Sequence, residues 1–334
     1  MSGDLQADAL PLPASIGRYR VIARLQRDAV GDVLRGFDPM IERPVVIKVF
    51  AWRVDDLEAR REIAQRFYQE MQRIGVLVHS GIVPLFDAGE CADGLFMASE
   101  FVEGESLAAL IERGADIDTS ARVSILGQIV DAIDYAAGQG VPHLNLKPSN
   151  VLVTPDGLVK VSGFGVAAVV AAIGATPPPS PYTAPERSQG GGADGRADVF
   201  SLARLMLRLM SADGFASDAV LHTMPAVRPE RWSALFARAL STDPASRFDS
   251  PRACFREWLF VCGHEDPAPR PAWDAFGPVE SMPAEPDSSD TETALGLGLA
   301  HDAHTIGSGV TPHTSEPRAA SSHDDDPSAT ITKM

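Results

Sequence analysis

The most restrictive feature of this sequence is the separation of its two secondary-structure patterns along the chain. Short runs rich in β-branched and aromatic residues, bounded by turn residues, fill the first hundred or so positions and predict five β-strands. They are YRVIARL (19–25), VGDVLRGF (30–37), PVVIKVFAW (44–52), IVPLFDAGE (82–90) and GLFMASEFV (94–102). One helix is predicted among them at 57–76, where Ile63, Phe67, Met71 and Ile74 recur at three- and four-residue spacing.

Helical periodicity dominates the following segments. A long helix is predicted to start near the cap Thr119 or Ser120 and to stop near Gly140. Its apolar stripe consists of Val123, Leu126, Ile129, Val130 and Ile133. Further helices are predicted at 197–211, 229–240 and 250–262. The expected fold class is therefore α+β and bilobal, with a small β-rich N-lobe and a larger helical C-lobe.

Composition sets the limits of the folded part and excludes some partners. The chain is 45% hydrophobic and 22% charged, which suits a soluble core. Its net charge of −16 argues against nucleic-acid binding. From Glu265 onward the sequence is rich in Pro, Ser, Thr and Asp, with thirteen acidic and three basic residues. We therefore predict an N-terminal extension at 1–16, a folded domain at 17–264 and a disordered acidic tail at 265–334.

Features that would place the chain in a membrane or outside the cell are missing from the sequence. The N-terminal residues 1–15 lack a basic start followed by an apolar run, and the run 165–175 is too short to span a bilayer. Cys91, Cys254 and Cys262 match no metal-ligand or disulfide spacing. We expect a cytoplasmic protein with reduced thiols and no membrane span.

Seven short motifs occur in a fixed order over nearly 250 residues. They are PVVIK (44–48), RFYQE (66–70), HLNLKPSN (143–150), SGFG (162–165), SPYTAPE (180–186), DVFSL (198–202) and DPASRF (243–248). In this order they resemble the landmarks of the bacterial Hanks-type serine/threonine protein kinases, and the resemblance covers residues 17–262.

The resemblance implies roles for several residues. Lys48 would contact phosphate or form an ion pair with Glu70 that holds the helix, and we favour the ion pair. Val33 and Val46 would form the roof of the adenine slot over Leu152, with Val46 adding bulk where the family usually has alanine.

Other residues would be structural. We expect an apolar column between the lobes, a cap on the catalytic loop and a buried ion pair. These comprise His143, Phe164, Ile74 and Leu85 for the column, Asp198 for the cap, and Glu186 with Arg247 for the pair.

Two departures remove carboxylates that phosphoryl transfer needs. Asn145 stands where the family has its aspartate base, and an amide cannot accept a proton near neutral pH. Gly163 replaces the metal-binding aspartate. Lys147 and Asn150 are retained, either as remnants or as braces of the loop, and a single neutral amide is a poor site for a divalent cation. We predict no catalytic residues and no metal site.

Three further positions depart from the family. In the phosphate-cradling loop, Gln26 and Asp28 replace glycines and only Gly31 remains, so Asp28 would place a negative charge near a triphosphate. Pro179 occupies the position of a threonine that aligns the substrate hydroxyl. Leu144 replaces the arginine that grips a phosphorylated activation loop in many kinases.

The segment 166–183 contains no charged residue. It could pack back over the cleft or offer an apolar surface to a partner. We favour packing back, because an exposed apolar strip promotes aggregation.

These features predict a pseudokinase that acts as a regulatory or scaffolding module in bacterial phospho-signalling. We expect no cofactor, or ATP bound without metal; the alternatives are a nucleotide-sensing switch and a weak ATP-dependent kinase. Threonines such as Thr291 and Thr293 in the tail would be accessible to an active Ser/Thr kinase. Once phosphorylated they could bind a forkhead-associated domain, although a tail that only solvates is the alternative.

Overall fold

The structure is a computed structural model that describes residues 12–28, 30–175, 180–189, 194–210 and 229–264. All of them fall within one compact unit, Met1–Glu280. The predictions made for residues 1–11, for Pro179 and for the tail 265–334 lie outside the described residues.

An antiparallel six-stranded sheet forms the N-lobe, with strand order β1-β2-β3-β4-β6-β5. The strands are β1 (Ser15–Ile16), β2 (Tyr19–Arg27), β3 (Gly31–Asp38), β4 (Arg43–Ala51), β5 (Leu85–Cys91) and β6 (Gly94–Glu100). The five predicted strands are all present. The sequence did not indicate β1, which pairs with the start of β2 and buries Ile16 although it lies in the predicted extension.

Helix α1 (Leu57–Gly75) lies against this sheet, close to its predicted limits. The Asp56 carboxylate caps the helix by accepting a hydrogen bond from the Ala59 N–H. Its buried face holds Ile63, Phe67 and Met71, as the periodicity predicted.

The C-lobe is mainly helical. Its helices are α2 (Leu107–Glu112), α3 (Thr119–Gly138), α4 (Val166–Ala172), α5 (Pro185–Ser188), α6 (Gly195–Met210), α7 (Pro229–Ala239) and α8 (Pro251–Cys262). Helix α3 is capped by Asp118 and not by Thr119 or Ser120, because the Asp118 carboxylate accepts from the Ala121 N–H. Gly140 adopts a positive φ of 74° two residues beyond the helix end, which suits a glycine.

A second sheet of three short strands carries the two loops of the candidate site. It contains β7 (Glu105–Ser106), β8 (Val151–Val153) and β9 (Val159–Val161), in the order β7-β8-β9. The loop 143–150 leads into β8 and the loop 162–165 follows β9, so this sheet holds both loops side by side. Among the described helices, none combines the length and the apolar character needed to cross a bilayer.

Candidate functional site

The inner face of the N-lobe sheet carries the residues predicted to contact a nucleotide. Val33 on β3 is directly opposite Lys48 on β4, and Val46 lies two residues earlier on the same face of β4. Both valines and Leu152 on β8 are half-buried. That these three enclose an adenine ring stays a prediction.

Lys48 pairs with Asp28 and not with Glu70. Its Nζ atom lies 3.7 Å from Asp28 Oδ2, and no ion pair joins Lys48 to Glu70, both of which are described. The expected ion pair between the strand and the helix is therefore wrong for this conformation. Burial lowers the pKa of Lys48, Asp28 opposes that change, and the nearby Lys147 adds to it.

Glu70 is held by its own helix instead. Its Oε2 atom lies 3.0 Å from Arg73 Nη1, and Arg73 Nη2 donates a hydrogen bond of 2.5 Å to the carbonyl of Gly140. Glu70 and Arg73 line a groove of about 400 Å³ between α1 and α4, together with Ala168. Glu70 thus lines the groove beside α4 and is paired with Arg73, not with Lys48.

Helix α4 packs against α1 beside Glu70. Gly165 precedes it with a positive φ of 72°, and a Cβ at this position would lie 1.9 Å from Ile74 Cδ1. Any other residue here would have a strained backbone and would force the Ile74 side chain to shift. Val166, Ala167, Val169, Val170, Ile173 and Ala175 are buried. Residues 166–175 therefore pack onto the domain and do not form an exposed apolar strip. That the segment covers the cleft stays a prediction.

The loop 143–150 is held by hydrogen bonds to a side chain of α6. The buried Asp198 carboxylate accepts hydrogen bonds of 2.7 Å from the backbone N–H groups of His143 and Leu144, as predicted. Burial raises the pKa of Asp198 to about 7, although these two donors act in the opposite direction. Leu144 has a φ of 59°, a rare conformation for leucine, and packs against the cluster of Ala184, Ala197 and Phe200.

His143 connects the two loops of the site. Its Nδ1 atom accepts from the Asn145 N–H at 3.1 Å, which leaves Nε2 to donate to the Ser162 carbonyl at 3.0 Å. Its ring centroid lies 4.5 Å from that of Phe164. Phe164, Ile74 and the partly buried Leu85 all belong to the main hydrophobic cluster of the domain. That they form a column between the lobes stays a prediction.

Asn145, Asn150 and Gly163 do not form a site for a divalent cation. Asn150 Nδ2 donates to the Asn145 carbonyl at 2.8 Å, so Asn150 braces the loop. Gly163 has a positive φ of 89°, and a Cβ there would lie 3.1 Å from Asn150 Nδ2. Within the described ranges, no group of three or more His, Cys, Asp or Glu residues could hold a metal ion. Magnesium prefers carboxylate and phosphate oxygens, so the residues present do not fit it.

Further from the cleft, Glu186 and Arg247 form the predicted buried pair. Two hydrogen bonds of 2.7 Å join the carboxylate to the guanidinium. The Arg247 side chain is fully buried, and it also donates to the carbonyls of Ser241 and Arg196. The pKa of Glu186 is lowered: burial acts to raise it, but the hydrogen bond from Arg247 and its own backbone outweigh that effect.

Two contacts at the site were missed at the level of sequence. Arg73 follows Glu70 by three residues, a spacing that brings helical side chains together and could have revealed the pair. The Asp28 carboxylate accepts hydrogen bonds from the N–H groups of Val30 and Gly31, an arrangement that is common for aspartate in turns.

A small β-lobe with a lysine-bearing strand, a helix beside it, and paired loops held by a buried aspartate define a domain of the protein kinase type. The chain belongs to the protein kinase family: residues 19–275 match the protein kinase domain.

Its relatives include bacterial serine/threonine-protein kinases. The chain is 33% identical over 273 residues to Pkn1 of Myxococcus xanthus, an alignment that covers 73% of this chain and 38% of that protein. It is 27% identical to PrkC of Bacillus subtilis, covering 70% of this chain and 39% of that protein. It is 32% identical to PknJ of Mycobacterium tuberculosis, covering 70% and 43%. The chain thus spans less than half the length of these three relatives.

Proposed function

We propose that this chain is a pseudokinase that acts as a regulatory or scaffolding protein module in bacterial Ser/Thr phospho-signalling. The observation that carries the proposal is the pairing of Asn145 and Gly163 at the two positions where the family places its acceptor-orienting and metal-binding carboxylates. Asn150, the remaining metal-ligand position, is engaged with the loop backbone, which supports a structural role.

Electrostatics support the same conclusion. Lys48 and Lys147 supply positive charge to the cleft. Among the described residues, Asp28 is the one carboxylate that forms an ion pair with Lys48. A triphosphate bound here would be neutralised by lysine side chains and not by a protein-bound metal. Lysines alone do not align an acceptor hydroxyl or remove its proton.

A thermal-shift titration with ATP tests the metal part of this proposal. We expect stabilisation by ATP to occur in EDTA and not to require Mg²⁺ or Mn²⁺, because positions 145, 150 and 163 supply no carboxylate to hold the ion. A nucleotide-dependent stabilisation that requires the metal would contradict the proposal.

The second candidate function is a nucleotide-sensing switch. It is favoured by the retained Lys48 and by the displaced Glu70, which leaves α1 a second position in which the pair could form. A ligand shifts such an equilibrium only if it binds one position better than the other. ATP that stabilises the protein without metal and slows hydrogen exchange in α1 would support the switch.

The proposed partner is an active Ser/Thr kinase that phosphorylates the tail, followed by a forkhead-associated domain that reads phosphothreonine. The support is the acidic, threonine-bearing sequence of 265–334, which lies outside the described residues. Incubation with an active kinase and phosphosite mapping tests it: modification of Thr291 or Thr293 is expected. If every tail threonine remains unmodified, this choice of partner is wrong.

A further inference from the structure

The Asp28 side chain occupies the place where a nucleotide phosphate would find its donors. Its Oδ1 atom accepts from the N–H groups of Val30 at 2.8 Å and Gly31 at 3.1 Å. Its Oδ2 atom lies 3.7 Å from Lys48 Nζ. Successive backbone N–H groups together with a lysine ammonium are the donors that bind phosphate in nucleotide sites.

The environment makes this carboxylate an effective occupant. The Asp28 side chain is 31% exposed and the Lys48 side chain 18%, so the pair is partly shielded from water. An incoming phosphate would have to displace the carboxylate or lie beside it. Either event is unfavourable, because like charges repel more strongly in partly buried surroundings.

Removing the Asp28 carboxylate would leave positive lysine charge available to a phosphate. Lys147 lies close enough to Lys48 to lower its pKa, and it forms no ion pair with any of the described residues. Without the carboxylate, Lys48 and two backbone N–H groups would surround the same space, and Lys147 would add positive charge to it.

We propose that Asp28 is an internal anion that fills the phosphate subsite, and that removing its charge opens a metal-independent site for polyphosphate. This proposal rests on the proposed function in one respect: the cleft has no protein ligands for magnesium. It adds that, besides the lack of magnesium ligands, the Asp28 carboxylate would itself weaken the binding of a nucleotide.

Two substitutions of Asp28 separate its charge from its hydrogen bonds. Asp28→Asn keeps an oxygen that can accept from Val30 and Gly31 but loses the charge, and Asp28→Ala removes both. Asp32→Asn is the matched control: it removes one carboxylate from the neighbouring strand, where Asp32 pairs with Arg24 and Arg27. All three variants change the net charge equally.

Binding of inorganic tripolyphosphate and of ATP is measured by calorimetry on the full chain in EDTA. We expect both Asp28 variants to bind both ligands at least about tenfold more tightly than the wild type, and Asp32→Asn to match the wild type. Adding Lys48→Ala to Asp28→Asn should abolish the gain.

Four results would overturn the proposal. Three are wild-type affinity for tripolyphosphate in both Asp28 variants, an equal gain in Asp32→Asn, and a gain that survives Lys48→Ala. The fourth is a gain for ATP alone, which would place the effect in the adenine slot. Because these measurements contain no metal, they can fail while the pseudokinase proposal stands, and metal-dependent binding would contradict that proposal separately.

Discussion

At the scale of single residues, His143 holds the loop 143–150 through both nitrogens of its ring. The fully buried ring uses Nδ1 as an acceptor and Nε2 as a donor, so only the neutral form satisfies both contacts. Burial lowers the pKa of His143 from 6.5 to about 4. A protonated ring would direct an N–H at the N–H of Asn145.

This arrangement predicts a pH dependence of folding stability. The folded pKa lies below the unfolded one, so the stabilising contribution is present above the unfolded value and is lost as the pH falls towards about 4. Between about pH 7 and about pH 5, the wild type should lose about 2 kcal/mol more than His143→Gln in urea unfolding.

The comparison isolates His143 because other groups titrate in both proteins. Asp198, which accepts from the backbone of His143, has a pKa raised to about 7 and changes stability in the opposite direction. Equal pH slopes for the two proteins would show that the imidazole is not held neutral.

The Glu186–Arg247 pair gives a second prediction at this scale. Glu186→Gln leaves the fully buried Arg247 without its counter-charge, and breaking such a pair costs roughly 3–5 kcal/mol. Urea unfolding checks the value. Glu257→Gln is the control, since Glu257 and Arg231 form a largely exposed pair at 3.7 Å and its loss should cost less than about 1 kcal/mol. A similar small loss for Glu186→Gln would contradict the assigned burial.

At the scale of elements, α4 lies against α1 beside Glu70. The short helix of Val and Ala side chains packs against α1, and Gly165 permits the close contact with Ile74. On the neighbouring helix Glu70 is paired with Arg73, and in the sheet Lys48 is paired with Asp28.

Hydrogen exchange followed by mass spectrometry tests the packing of α4. Val169 is 1% exposed, so Val169→Asp would bury a carboxylate and should release the helix, with faster exchange over 166–175. Ala171 is exposed on the same helix, and Ala171→Asp should leave exchange unchanged. Equal exchange in both variants would show that α4 is not anchored by its buried face.

The same elements show what the sequence could and could not predict. The strands and α1 followed from alternation and periodicity, because each has one face in the core. The partner of Lys48 could not be predicted from motifs, since Asp28 and Glu70 both offer a carboxylate and only the folded geometry selects between them. The cap of α3 differed by one residue because Asp118 and Thr119 are both good capping residues and only geometry selects between them.

At the scale of the whole molecule, the described residues combine a protein kinase fold with a cleft that has no carboxylate at positions 145 and 163. The Asp198 cap, the Glu186–Arg247 pair and the His143–Phe164 contact hold the C-lobe and its loops together. These contacts stabilise the fold and do not depend on phosphoryl transfer. Under the pseudokinase proposal, positions 28, 145 and 163 are altered where an active kinase would bind the phosphates, the metal and the acceptor.

The most direct test of this account is transfer of the γ-phosphoryl group from labelled ATP by the purified full chain, with Mg²⁺ or Mn²⁺, onto itself and onto a generic protein substrate. Lys48→Ala, prepared in parallel, reports any contaminating kinase. The account predicts incorporation no greater than that of Lys48→Ala. Incorporation that increases with time in the wild type and disappears in Lys48→Ala would contradict it.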